Sequence, residues 1–336
     1  MSSSHPVEAT SGNTWLAGTS LVELMIALLL AGFLSLAIVT VYLNVLRQFE
    51  VDEAMSALQE NGRFALTLLT RELSHAGFYG AQYDISNLAP ESVGRDCVTA
   101  GNWALTTDVP LDVVDNVGSS LSSAGGSLFN CVGLATVVPS SDVLTVKRTA
   151  TDYTVADGQL RPGARVRNNQ WYLRIADEGD SLAWFYHTGG GFPSVDLQAG
   201  NAVNYWAYNA RLYYLRAYSE QASDNIPSLC VEYLAGGEAN GAMVSRCLVE
   251  GVEDMQIEFG VDSDNDGTPN RFRTRPSATE LSQIVSARVF LLLRSLQPIA
   301  NYGEGKTYRL GSKTVSPEGK YLRRVFSTSV RIRNVS

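Results

Sequence analysis

From Leu24 to Leu46 the chain runs for 23 residues without a charge, most of them Leu, Ile, Val, Ala or Phe, and the residue just before the run is a carboxylate, Glu23. As a helix, a stretch of that length crosses the roughly 30 Å hydrocarbon core of a bilayer. A membrane anchor is therefore expected, and Glu23 is its informative residue. An unpaired charge at membrane depth costs on the order of 2.5–3.5 kcal/mol on insertion scales, and such residues are functional candidates by default. A plain anchor has no use for Glu23. A secretory signal has a shorter apolar region, of about 7–15 residues, and ends in an A-x-A-like cleavage site.

The helical pattern outlasts the apolar run. Between Gln48 and His75, apolar residues such as Val51, Met55, Leu58, Ala65, Leu68 and Leu69 recur three or four positions apart, which predicts one helix over 21–75. Gly32 and Gly62 mark places for bending or for close approach of a neighbour. Gly77 and Gly80 read as the stop, with His75 in the last turn to complement the helix dipole.

The string Gly18-Thr19-Ser20-Leu21-Val22-Glu23 in front of the apolar run resembles the type III signal of prepilins. The resemblance implies cleavage by a membrane prepilin peptidase after Gly18, N-methylation of the new amino terminus at Thr19, and Glu23 as the fifth mature residue. The amine so exposed is a partner for the Glu23 of a neighbouring subunit, and such a pair is far stronger in low dielectric than in water. Basic residues do not set the orientation, since the nearest is Arg47.

Further along, Leu58-Gln59-Glu60-Asn61-Gly62-Arg63-Phe64-Ala65, Leu69-Thr70-Arg71-Glu72 and Ala76-Gly77-Phe78-Tyr79-Gly80 resemble the PilW family of minor type IV pilins, as do residues 249–262, 289–294 and 324–334. The resemblance implies a structural part in the type IV pilus, in its priming or tip complex, and in twitching motility. Its expected partners are other minor pilins, the major pilin, the prepilin peptidase and the inner-membrane assembly machinery. A single-pass inner-membrane protein with a periplasmic head, later built into the fibre, is the expected location. Two alternatives stand beside it: a pseudopilin of a type II secretion system, and a membrane-tethered, calcium-dependent adhesin. The expected organisation is a leader over 1–18, an assembly helix over 19–46, the periplasmic half of the helix over 47–80 and a β-rich head over 81–336.

That head is expected to make the fold α+β, an antiparallel sheet packed on the carboxyl half of the helix. Strand-like stretches occur at 143–147, 171–175, 182–187 and 211–218. Period-two alternation is cleaner at Met255, Ile257, Phe259 and Val261 and at Phe326, Thr328, Val330 and Ile332, which predicts half-buried strands. An aromatic run at Tyr205, Trp206, Tyr208, Tyr213, Tyr214 and Tyr218 reads as sheet packing, with a carbohydrate surface as its rival. Residues 90–225 resemble no family.

A net charge of −8 and the lack of any run of Lys and Arg argue against nucleic acid as a partner. The four cysteines all follow the apolar run, which fits an oxidising compartment, and the shortest loops pair Cys97 with Cys131 and Cys230 with Cys247. No enzyme is expected. The histidines, His5, His75 and His187, stand in no catalytic or zinc-binding motif, and no phosphate loop or nucleophile elbow is present.

One acidic loop is sharp. In Asp262-Ser263-Asp264-Asn265-Asp266-Gly267-Thr268, three carboxylates alternate ahead of a turn glycine, as in the first half of a calcium loop, with the Thr268 carbonyl at the seventh position. Arg273 stands where an EF-hand has its bidentate glutamate, so a bound Ca2+ would draw a further carboxylate from Glu258 or Glu280. The same residues also make a plain Asx turn between strands.

Overall fold

The computed structural model describes Gly18 and residues 20–80, 85, 87–176, 181–235, 240–299, 302 and 305–335; the expected leader residues 1–17 and the expected methylation site Thr19 lie outside them. The chain divides into two compact units, residues 1–52 and 53–336. One helix, α1, runs from Leu21 to Ser74, one residue short of the expected end.

In the first unit every described residue up to Glu50 is exposed, Leu24, Ile26, Phe33 and Leu36 among them. The helix is long and apolar enough there to cross a membrane. Ser35 and Thr40 donate their hydroxyl protons to the carbonyls of Ala31 and Leu36 at 2.8 Å each, so neither donor is left unsatisfied in an apolar medium.

In the second unit α1 changes character. Leu58, Gly62, Ala65, Leu69 and Leu73 are buried at spacings of three and four, one stripe of the helix. At Gly62 the close approach is to Phe326: a Cβ there would lie 2.7 Å from three atoms of its ring. Past Ser74 the chain turns away through Gly77, which takes φ +75, and the His75 Nδ1 donates to the Arg71 carbonyl at 2.8 Å, meeting one of the carbonyls that every helix end leaves open.

The first sheet contains β1 (Leu111–Val114), β2 (Val143–Thr149), β3 (Val155–Ala156), β4 (Gln159–Leu160), β5 (Gln170–Ala176), β6 (Ser181–His187), β7 (Val203–Arg216), β8 (Ser228–Ala235) and β9 (Ala242–Glu250). Its axis is β7, which pairs with β5 and β3 along its first half and with β2 and β8 along its second, all antiparallel. The strand expected at 211–218 thus begins eight residues earlier. The aromatic run is its body, and Tyr205, Tyr208, Tyr213 and Tyr214 are buried in the core, as the packing reading expects.

The second sheet follows, from β10 (Val252–Val261), β11 (Arg271–Arg273) and β12 (Ile284–Arg294), with a hairpin of β13 (Tyr308–Leu310) and β14 (Lys313–Val315), to β15 (Arg323–Arg331). Its order is β11-β10-β12-β15, again antiparallel. Met255, Ile257, Phe259 and Val261 face the core as expected, but Asp254 and Gln256 on the other face are buried too. β10 is therefore covered on both sides. The Lys313 Nζ reaches Asp254 at 2.7 Å, the Ser312 N–H donates to Glu258 at 2.8 Å, and Gln256 donates to the Ser140 carbonyl at 3.0 Å.

Two features bind these layers. Asp142, one residue before β2, meets the open edge of β10: its N–H donates to the Met255 carbonyl at 2.9 Å and its carboxylate accepts the Ile257 N–H at 2.7 Å. The other is Glu72, 2% exposed on the buried side of α1, whose carboxylate takes both forks of Arg148 at 2.8 and 3.0 Å and the Arg211 guanidinium at 2.6 Å.

Candidate functional site

Gly18 and Glu23 lie in the first unit and both are exposed, Glu23 in the first turn of α1 where a carboxylate complements the helix dipole. The expected cleavage junction is half visible, since Thr19 falls outside the described residues. What α1 offers there is an apolar surface on all sides with one carboxylate at its start. Such a helix needs lipid or other apolar helices around it.

The acidic loop joins β10 to β11. Asp262 is buried and organises it: one carboxylate oxygen accepts the N–H groups of Asp264 and Asn265 at 3.2 and 2.8 Å, the other that of Gly267 at 2.7 Å. These donors hold the Asp262 carboxyl below the usual carboxylate range against the cost of burial, which on its own raises it. The turn requires left-handed backbone at Asn265 (φ +60) and Gly267 (φ +83), residue types that tolerate it. Asp264 and Asp266 are exposed, and one carboxylate oxygen from each of Asp262, Asp264 and Asp266 falls within 4.8 Å of the others. These are hard oxygen donors, three of the roughly six to eight that a calcium ion takes, and Asp264 and Asp266 also accept from the Asn270 side chain and the Thr268 N–H. Neither expected fourth carboxylate is at hand. Glu280 is engaged by Arg271 at 2.7 Å and by the Ser277 N–H, and Glu258 by Ser312 and, at 3.9 Å, by Arg288.

Cys97 is bonded to Cys131, and Cys230 to Cys247. The second pair joins directly opposed positions of β8 and β9, and the first ties the buried segment around Cys97 to the loop after Phe129. His187 is buried, its Nδ1 3.0 Å from the Arg167 carbonyl and its ring beside Tyr172, Phe185 and Phe192. Both described histidines thus have backbone carbonyl partners, and the His75 Nδ1 also lies 3.0 Å from the hydroxyl of its chain neighbour Ser74.

The arrangement that sequence reasoning missed is the Glu72, Arg148 and Arg211 cluster. A signal was present: Glu72 falls on the same stripe as Leu58, Ala65, Leu69 and Leu73, and a carboxylate on an apolar stripe calls for a buried cation. Its partners, 76 and 139 residues away, could not be named from spacing.

No curated protein and no solved structure matches the chain. A family match does cover the second sheet and the end of the first. It takes in the stretches 249–262, 289–294 and 324–334 and begins within 90–225, where the sequence alone resembles no family. Residues 212–334 match the family model described as Type IV Pilus-assembly protein W, which supports a role related to type IV pilus assembly.

Proposed function

We propose that this chain is a minor pilin, cut between Gly18 and Thr19 by the prepilin peptidase, methylated at Thr19, and held single-pass in the inner membrane with its head in the periplasm until it enters the priming or tip complex of the pilus. The observation that carries the reading is the pairing of a PilW match over 212–334 with a helix whose residues 24–46 are uncharged, mostly apolar and exposed throughout. Subunits leaving lipid bury the same surface against one another, and the Glu23 carboxylate is then neutralised by a neighbour's new amine. Major and minor pilins are the partners this chemistry calls for.

Ca2+ held by Asp262, Asp264 and Asp266, with the Thr268 carbonyl, belongs to the same proposal. It rests on the convergence of the three carboxylates, and water would fill the positions that Glu258 and Glu280 do not.

Glu23→Ala tests the assembly reading. The variant should be cleaved, methylated at Thr19 and retained in the membrane like the parent, by mass spectrometry of the mature terminus, yet be depleted from sheared fibres. Equal incorporation, or a mature terminus elsewhere, overturns it.

A further inference from the structure

Six arginines converge on one cavity of about 500 Å3 in the second unit: Arg71 from the last turn of α1, Arg148 from β2, Arg211 from β7, and Arg161, Arg165 and Arg167 from the loop between β4 and β5. In a chain of net charge −8 this concentration is far from the average surface. Among the described residues two carboxylates answer it. Glu72 is shared by Arg148 and Arg211, and Asp152 lies 3.0 Å from Arg161. Arg71, Arg165 and Arg167 are exposed and have no ion-pair partner among the described residues.

Unrelieved positive charge of this density is held together by the fold at a cost that an anion removes. The kind of anion follows from the residue type. Every cation here is a guanidinium, whose planar fork meets the paired oxygens of a carboxylate or phosphate two at a time, where an ammonium acts as a point charge. The size is that of a small-molecule site, roughly 300–1,000 Å3, and not that of a groove tracking a polymer backbone. The rest of the lining is mixed: Thr151, Thr154, Asn209 and Gln170, whose Nε2 donates to the Trp171 and Tyr208 carbonyls and leaves its Oε1 as acceptor, alternate with small apolar residues such as Ala150 and Ala207, and the exposed Tyr153 ring has the Arg161 guanidinium 5.6 Å from its centre. Amides and an aromatic face beside cations suit a ligand rich in hydroxyls.

We propose that this cavity binds an acidic saccharide, its carboxylate or phosphate oxygens held by Arg71, Arg165 and Arg167 and its hydroxyls by Gln170 and Asn209. Arg148 and Arg211 form the floor, fixed by Glu72, and supply field rather than contacts.

Isothermal titration of the full chain in neutral detergent tests this, with glucuronic acid, glucose 6-phosphate, inorganic phosphate, neutral glucose and a single-stranded DNA oligomer as probes. At least one acidic sugar should bind, neutral glucose should not, and the affinity should fall as salt is raised. Arg165→Gln with Arg167→Gln, on a loop away from the Glu72 cluster, should weaken binding about tenfold or more, while Arg333→Gln, an exposed charge elsewhere, should leave it unchanged. Three results overturn the proposal: no binding of either acidic sugar, equal weakening in Arg333→Gln, or inorganic phosphate or the DNA oligomer binding as tightly as the sugars.

Discussion

Glu72→Gln removes one negative charge from the most enclosed ion cluster described. The Arg148 side chain is 7% exposed and that of Arg211 27%, so the two guanidinium groups would be left with an amide oxygen in place of a carboxylate. Breaking a buried pair by neutralising one partner costs about 3–5 kcal/mol. That range applies to Arg148, which donates two bonds, whereas Arg211 reaches solvent and adds less than about 1 kcal/mol, as surface pairs do. The expected loss is about 4 kcal/mol, a large part of the roughly 5–15 kcal/mol that holds a domain folded. Urea unfolding of the full chain in detergent, followed by the fluorescence of its buried tryptophans, reads it as a fall of more than about 1 M in the midpoint. Glu72→Met with Arg148→Met, which leaves no uncompensated charge between them, should recover most of the loss. A Glu72→Gln chain within about 1 kcal/mol of the parent would mean that water already screens the cluster, and the reasoning would fail.

Three further outcomes are expected. Gly62→Val should destabilise by about 1–3 kcal/mol through overpacking against the Phe326 ring, and Phe326→Ala in the same chain should relieve part of it; additive losses in the double variant would show that the two do not meet. Burial pushes the Asp142 carboxyl up to about 7 against the two backbone N–H groups it accepts, so the native state holds a proton there that the unfolded chain gives up near 4. Stability from this group is full below about pH 4 and falls toward pH 7, by up to about 1.4 kcal/mol per pH unit. Burial also pushes Lys147 down to about 7, which has the opposite sign, stability rising above that pH, so urea midpoints at about pH 5, 7 and 9 should be lowest at the middle value and Asp142→Asn should flatten the acid side. Calcium should raise the melting temperature of the full chain relative to chelator, by the equivalent of about 2.7 kcal/mol at a hundredfold excess over the Kd, and Asp264→Ala should erase the difference; identical melting of the parent in both leaves a plain turn.

The sequence was most legible where one periodicity governs a long segment. The apolar run and the three-four spacing from Val51 to Leu69 placed α1 to within a residue of its end, and the period-two alternation at Met255 to Val261 and at Thr328 to Ile332 placed β10 and β15. β7 was cut short because its first half, although buried and half-buried positions alternate from Trp206 to Leu212, carries Asn204, Ala207 and Asn209, residue types that strands disfavour. β10 was expected to have a wet face because the residues that meet that face are distant in sequence: Lys313 at Asp254, Ser312 at Glu258 and Ser140 at Gln256. The same limit hid the charged clusters. Arg71, Arg148 and Arg211 are scattered over 140 residues, and only the pairing of β2 with β7 beside the end of α1 brings them to one cavity. By contrast the turn of the acidic loop is local in sequence and was legible down to the glycine it requires, whereas the expected further carboxylates, Glu258 and Glu280, are engaged elsewhere.

The central claim, a minor pilin carrying the PilW match over 212–334, is tested most directly in cells that make the pilus. Deleting the gene should abolish or sharply reduce surface fibres and twitching, the parent chain should restore both, and the restored fibres, once sheared and washed, should contain the chain beginning at an N-methylated Thr19. Fibres in wild-type number with normal twitching after deletion, and no trace of the chain in the sheared fraction, would contradict it.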